Sequence, residues 1–579
     1  MKLIEALQVL RREVPPEAKE FSVALACSFT PLHVHTFLTA HLRLLLPDRR
    51  IELQTGFYGD MQGNLEKLRQ SDCEACAVAF EWPDFDPRLG LRGLGGWGPA
   101  KFPEILDESR NRAARLEQAV QSLAERMPVI ICLPSLALPP VSYSPSWQAS
   151  SLDLELWEVV SALGCRLAKL PQVRIANPRH LEQLSPVKDR LSVESELANG
   201  FPYSVCHAAA LGETLARLIV SSSPKKGLIT DLDDTLWRGI LGEVGIEGIS
   251  WDLEHHSQMH GLYQQLLYAL SQEGVLVAAA SKNDAALVEM AFKTRDLPMP
   301  REALFPVEAH WSPKSESIAR ILTVWNIAAA DAVFIDDSPA ELAEVKRANP
   351  EIECIPFPAD DAAGIYSLLL RLRDLFGKSV LREEDALRME SIRNSHAARE
   401  DAGASSASPE QFLEQAEAEL KLDFNKSPID PRALELVNKT NQFNLNGKRH
   451  TEVSWRTYLD DPTSFLMLSS YKDKYGPLGK IAVMAGRLKN RAIFIDTWVM
   501  SCRAFSRRIE YRCLEEMFLK YDVDEVAFDF VATPRNGPIQ TFLNELGTLN
   551  AGAGSILTRQ NFFDKRPTSY HRVEEQVHG

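Results

Sequence analysis

The sequence predicts an α/β protein: two consecutive domains built on parallel sheets, then a C-terminal α+β domain whose strands are closer to an antiparallel pattern. Three observations carry this. Short, wholly apolar runs alternate with helical patterns from residue 21 to about 218, as expected of strands covered on both faces. A second alternation starts at "GLITD", residues 227–231. The runs after residue 420 are grouped around one prominent helix. At 579 residues the chain is too long for one core, and about three domains are expected.

The first twenty residues, "MKLIEALQVLRREVPPEAKE", read as an amphipathic helix with charges throughout rather than the apolar core of a signal peptide. The strands "FSVALACSF", "IELQTGFYG", "ACAVAFEW", "PVIICLP" and "VRIAN" follow, and the helix "AAALGETLARLIV" closes a domain over 1–222. In 223–378 the strands are "GLITD", "GVLVAAAS", "DAVFIDD" and "IECIPFP". Residues 379–420 are charged and then rich in Ala, Ser and Gly, which predicts an exposed helix and a flexible link. The last domain, 421–579, has strands "SFLMLSSYKD", "KIAVMAGRLK", "RAIFIDTWVMS" and "EVAFDFVA", with a helix at "RRIEYRCLEEMFLKY".

Hydrophobic residues at 45% and charged residues at 25% are ordinary for a globular protein, and a net charge of -15 argues against a nucleic-acid or anionic-membrane binder. No segment approaches the roughly 18 to 20 apolar residues of a membrane span, so a cytoplasmic protein is expected. Nine scattered cysteines fit reduced thiols. Cys73 and Cys76 have CxxC spacing, but no second pair completes a zinc site, and they read as packing residues.

The chemistry-bearing pattern lies in 223–378. "LITDLDDTLW" places Asp231, Asp233 and Thr235 directly after a strand, and three further strand ends carry polar residues. "AAASKND" brings Ser281 and Asn283, "HWSPK" brings Lys314, and "FIDDSP" brings Asp336 and Asp337. Ligands of α/β sheets bind at the carboxyl ends of strands. A single aspartate there also serves as a turn former or helix cap. All four positions together point to phosphoryl transfer. Asp231, Asp233, Asp336 and Asp337 would bind Mg2+, which prefers hard oxygen ligands. Asp231 would attack phosphorus, and Asp233 would act as general acid and then base. Ser281 would hold a phosphoryl oxygen, with Thr235 and Asn283 nearby on the substrate side, and Lys314 would balance transition-state charge.

These motifs resemble the haloacid dehalogenase (HAD) superfamily over roughly residues 226 to 360. The short span from Thr235 to Ser281 leaves room for only a minimal cap, and an open site suits a bulky substrate. "DLDDTLWRGILGEVGIEGI", "VNKTNQFNLNGKRHT" and "IDTWVMSCR" resemble, more narrowly, the FkbH-like proteins of polyketide assembly lines. That resemblance implies an SGNH-hydrolase-like parallel-sheet domain, a HAD-type Rossmann-like domain and a GNAT-like α+β domain. It also implies an activity: dephosphorylation of a small phosphorylated three-carbon acid, 1,3-bisphosphoglycerate, and loading of its glyceryl group as a thioester on an acyl carrier protein. The acyl-carrying thiol is either Cys502, with Arg503 beside it to favour a thiolate, or Cys27 at the end of the first strand.

Outside the HAD motifs the expected patterns are incomplete. Ser28 and His207 fit two members of an SGNH triad, but Ser204 stands where the orienting aspartate belongs, so a scaffold or carrier-docking role is expected. In the GNAT-like helix start, Ser506 and Arg508 occupy glycine positions of the coenzyme A cradle, and Leu543 replaces the usual tyrosine acid. Arg503, Arg507, Arg508 and Arg512 then offer a basic patch for a phosphopantetheine arm, or simply a solvated helix face. The resemblance adds Asn441, Gln442 and Asn536 as substrate or interface candidates. The rival enzyme reading is a plain phosphatase on another small phosphorylated acid, and the non-enzymatic rival is a degenerate scaffold.

Overall fold

A computed structural model describes the chain apart from residues 221–222, 379–389, 391, 394–408, 475, 490, 502–503, 506, 534, 549–554 and 577–579. The helix and link expected over 379–420 therefore lie largely outside the described residues, as do Cys502 and Arg503. The chain divides into two compact units, one of Met1–Ser222 with Thr451–Val453 and the other of the remainder.

In the first unit, strands β1 (Lys19–Cys27), β2 (Arg49–Thr55), β3 (Ala75–Ala79), β4 (Val129–Cys132) and β5 (Val173–Ile175) form a parallel sheet in the order β2-β1-β3-β4-β5. The apolar runs have a simple cause. Alternate side chains of a strand point to opposite faces, and here both faces are covered. Val23, Leu25 and Cys27 enter one core, while Ala24 and Ala26 enter the other.

The second unit holds two sheets. Strands β6 (Gly227–Thr230), β7 (Leu276–Ser281), β8 (Val307–Ala309), β9 (Ala332–Asp336) and β10 (Glu353–Pro356) are parallel, in the order β10-β9-β6-β7-β8. Leu228, Val277 and Ile335 pack on one side, and Ile229, Ala278 and Phe334 on the other. β6 is central, so the residue after it has β9 and β7 as neighbours. Between Thr235 and the start of β7 at Leu276 lie the helices Leu241–Gly248 and Gln258–Gln272 and, among the described residues, no strand.

The third sheet is mixed. Its strands are β11 (Glu419–Asp423), β12 (Phe443–Asn444), β13 (Ser464–Asp473), β14 (Gly476–Lys489), β15 (Ala492–Met500), β16 (Glu525–Phe528), β17 (Ser555–Thr558) and β18 (Arg572–Glu575). β13, β14 and β15 are antiparallel, whereas β15–β16 and β11–β18 are parallel. Period-two packing recurs, with Phe465 and Met467 in one core and Leu466 and Leu468 in the other. The fold class is thus α/β. Among the described residues no helix is long and apolar enough to cross a membrane.

Gly227 opens β6 against the ring of Trp325, whose indole N–H donates to Phe305 O at 2.8 Å. A Cβ at Gly227 would stand 2.4 Å from that ring. Gly227→Ala should therefore destabilise the unit by about 1–3 kcal/mol through overpacking, read as a lower urea midpoint. A midpoint equal to the parent's would contradict this packing.

Candidate active site

The tips of β6, β7 and β9 bring Asp231, Ser281 and Asp336 together. The Asp231 N–H donates to Ile335 O at 2.9 Å, extending the pairing of β6 with β9 by one residue. This fixes the register that sets the Asp231 carboxyl beside Asp336. The Ser281 side chain acts on the Asp231 carboxyl, lowering its pKa against the burial that raises it. Lys314 is the first residue of the helix Lys314–Trp325 and is 2% exposed. Its ammonium lies 3.0 Å from Asp231 Oδ1 and 2.6 Å from Asp336 Oδ2, and it also pairs with Glu341. Asp336 Oδ1 accepts from Ser338 N at 2.8 Å.

Glu341 is the residue that sequence reasoning missed. It follows Ser338 at the start of the helix Pro339–Ala348, and the spacing Ser-x-x-Glu reads as a capping box. The cap is not made; the carboxylate turns to Lys314 and, at 3.0 Å, to Lys282. Charge rather than capping propensity was the available signal, since two lysines near one acidic cluster call for a further carboxylate.

The ionisation pattern follows from burial and neighbours. Burial, then the charge of Asp231, raises the pKa of Asp336, with Lys314 opposing. Burial likewise raises Asp231, Asp233 and Asp337. Burial works against the Lys314 ammonium, but Asp231 and Asp336 outweigh it and hold its pKa above the ordinary lysine value. For Glu341, burial is outweighed by Lys314 and Lys282, and its pKa is lowered.

Asp231, Asp336 and Glu341 each offer an oxygen, all within 4.8 Å of one another. Asp231 Oδ1 is buried and makes no well-aligned hydrogen bond despite the nearby ammonium. Even with Lys282 on Glu341 beside Lys314, three clustered carboxylates outnumber their two ammoniums, so the set fits a hard divalent cation. Asp233 and Asp337 fall outside this compact set. The Asp233 carboxylate accepts from Trp237 Nε1 (3.0 Å) and Leu241 N (3.1 Å) on one oxygen and from Asn283 Nδ2 (2.9 Å) on the other. Asn283 therefore orients Asp233. Thr235 is fully buried, its hydroxyl without a hydrogen-bond partner.

The other candidates find different surroundings. Cys27 points into a core, its thiol donating to Phe29 O at 3.2 Å, and burial, then Asp84, pushes its pKa up to about 12. An acyl-carrying thiolate is disfavoured there. Ser28 acts on the Asp84 carboxyl, lowering its pKa against the burial that raises it, while the His207 ring bonds Ser135 Oγ (2.9 Å) and Ser185 Oγ (3.1 Å). Ser28 and His207, the two members of the incomplete triad, do not pair among these contacts, and both ring nitrogens of His207 are taken by Ser135 and Ser185. Glu81 accepts from Ser135 Oγ (2.6 Å), Tyr203 OH (2.8 Å) and two backbone N–H groups, yet burial pushes its pKa up to about 7.

The expected basic patch is spent on carboxylates. Arg507 meets Asp473 at 3.4 Å, Arg508 meets Glu410 at 3.4 Å, and Arg512 meets Glu515 at 2.9 Å and Glu516 at 2.8 Å. Arg508 adopts φ 59°, the left-handed conformation that favours glycine, so the backbone keeps a glycine's geometry where an arginine stands. Asn536 holds loops together: Oδ1 accepts from Thr533 N at 2.8 Å, and Nδ2 donates to Asn444 O at 2.9 Å and Val531 O at 3.0 Å. Asn441 accepts from Arg449, and Gln442 Oε1 is buried without a partner.

Lys314→Met should leave three carboxylates without their buried cation and cost about 3–5 kcal/mol. Added Mg2+ should then raise the melting temperature of this variant more than that of the parent. Thermal denaturation with chelator and with Mg2+ measures both, and equal responses would rule out the shared cluster. A second prediction concerns Glu81. An acid whose pKa is higher folded than unfolded keeps its proton in the native state after the unfolded chain has lost it. Stability attributable to Glu81 therefore falls as pH rises from 4.5 to about 7. Denaturation at stepped pH should show Glu81→Gln with a flatter profile across that window, and an unchanged slope would contradict the assignment.

No family model and no curated protein matches the chain. Among solved structures, the N-terminal part of a Bacteroides fragilis protein, containing a phosphatase domain and complexed with Mg, is similar. It has 18% identity and a TM-score of 0.52, covering 66% of this chain and 100% of that one. A GDSL-like lipase assignment from Parabacteroides merdae aligns at 9% identity and a TM-score of 0.22, covering 35% and 95%, too distant to bear on the fold. Over about two thirds of its length the chain shares the fold of the Bacteroides protein.

Proposed function

We propose that residues 223–378 are a Mg2+-dependent HAD-type phosphatase, and that it serves to load a glyceryl unit from 1,3-bisphosphoglycerate onto an acyl carrier protein. The observation that carries the first part is the buried Lys314 ammonium joining Asp231, Asp336 and Glu341 at the strand tips. The bound phosphatase domain of the similar Bacteroides structure, complexed with Mg, supports the same reading. The second part rests on the sequence resemblance, which spans most of the chain.

When bound by Asp231, Asp336 and Glu341, the cation supplies neutralisation of phosphoryl oxygen charge. The Asp231 carboxylate attacks phosphorus, forming an aspartyl phosphate as the bond to the leaving oxygen breaks. Asp233 is two residues on, and burial raises its pKa, favouring the protonated form an acid needs. It gives that proton to the leaving oxygen and later removes one from the water that cleaves the aspartyl phosphate. Asn283, Trp237 and the Leu241 N–H hold its carboxyl in place. Lys314 and Ser281 steady the transferring oxygens.

Acyl transfer is assigned to 421–579 with Cys502 as the carrier thiol, since Cys27 is a core residue. An acyl phosphate is already activated, so a thiol displaces its phosphate without ATP. The domain over 1–222 would serve docking, with 379–420 as the link. A plain phosphatase acting on another small phosphorylated acid is the second reading, favoured by the carboxylate pairing of the arginines once expected to hold a pantetheine phosphate.

Incubation with carrier protein, Mg2+ and 1,3-bisphosphoglycerate, followed by the intact mass of the carrier, separates the readings. A glyceryl adduct is expected; phosphate release without it favours the plain phosphatase. Asp231→Asn should lower phosphate release at least about a thousandfold, and Cys502→Ala should abolish the adduct while phosphate release persists. Parent-level phosphate release by Asp231→Asn would refute the mechanism.

A further inference from the structure

The first unit contains a cavity of about 690 Å³ over the carboxyl ends of its central strands. Its walls include Phe29, Trp82, Leu89, Leu116 and Leu138, and its polar lining includes Ser28, Glu81 and Asp84. The volume suits a small organic molecule. Hydrolysis is not what the polar groups are arranged for, since the His207 ring is occupied by Ser135 and Ser185.

Charge is the informative feature. Asp84 is 7% exposed and Glu81 2% exposed, and among the described residues neither forms an ion pair. Glu81 is satisfied by four neutral donors. Asp84 Oδ2 accepts from Glu81 N at 2.8 Å. The arginines of the lining are engaged elsewhere. Arg112 and Arg115 pair with Glu108 at 2.6 and 3.3 Å, and Arg92 donates to the carbonyls of Glu196 and Leu197 and pairs with Glu196. Of these, Arg112 is near enough to act on Asp84 through space. An apolar chamber with a buried carboxyl and no contacting cation leaves the counter-charge to a ligand. Ser28 lines the same cavity as Asp84, and its hydroxyl offers lone pairs that accept from an N–H group.

We propose that this cavity binds a small amine, its ammonium on Asp84 and Ser28 and its apolar body against Trp82, Leu116 and Leu138. The inference is independent of the phosphatase reading. The test titrates the full-length protein with 2-phenylethylamine, 2-phenylethanol and phenylacetate, three probes of one body with cationic, neutral and anionic heads, using calorimetry or ligand-observed NMR. The amine should bind at least about tenfold tighter than the alcohol, and phenylacetate weaker still. Asp84→Asn should remove the preference for the amine. Ala137→Trp, at an exposed lining position, should block all three without touching the core. Equal binding of the three probes, amine affinity unchanged in either variant, or no binding of the amine overturns the proposal.

Discussion

One buried ammonium organises the second unit. Lys314 contacts three carboxylates that come from the loop after β6, the end of β9 and the helix after it. Removing any ion from water costs several kcal/mol, and only short, multiple contacts offset it. The cluster therefore demands that three segments distant in sequence converge within a few ångströms. Parallel strands side by side meet that demand, because their carboxyl ends lie on one edge and their register is held by backbone hydrogen bonds. A slip of one residue between β6 and β9 would turn Asp231 to the other face, where Leu228 and Ile335 pack in an apolar core.

The same arrangement explains how much was legible in the sequence. β3, β4, β6, β7 and β9 are buried on both faces, so they appear as unbroken apolar runs. Polar residues that end such runs, among them Asp231, Ser281 and Asp336, therefore stand out. β8 is partly buried throughout, and β17 and β18 are mostly exposed or intermediate. Such edge strands carry no continuous apolar signal. Glu341 was hidden for a different reason: its local spacing satisfies a helix-cap pattern, and only the tertiary position of Lys314 reveals its partner.

What was ambiguous in the sequence of the C-terminal domain shares one cause. A string of arginines in sequence says nothing about where the carboxylates lie. Glu515 and Glu516 are on the same helix as Arg512, whereas Asp473 reaches Arg507 from the end of β13. Amides were similarly ambiguous. Asn444 supplies Gly447 N and Asn446 N with an acceptor, and Asn536 closes on Asn444 O, which is the use to which a fold puts amides when loops are buried.

The two parallel sheets solve a common electrostatic problem in opposite ways, and the difference decides what each can bind. Beside β6, the Lys314 ammonium stands among three carboxylates, opposing the upward shift that burial gives Asp231 and Asp336 and, with Lys282, lowering the pKa of Glu341; such a set suits a hard cation, and through it an anionic substrate. Beside β3, Glu81 is surrounded by hydroxyl and backbone donors with no cation in contact, and burial lifts its pKa to about 7. Neutral donors stabilise a carboxylate less than a lysine does and cannot cancel its charge. A cavity floored by such groups excludes a phosphate or carboxylate, because an added anion would meet uncancelled charge in a medium of low dielectric. Under the two proposals above, the two parallel sheets would take ligands of opposite sign, and the difference lies in whether a lysine reaches the strand tips.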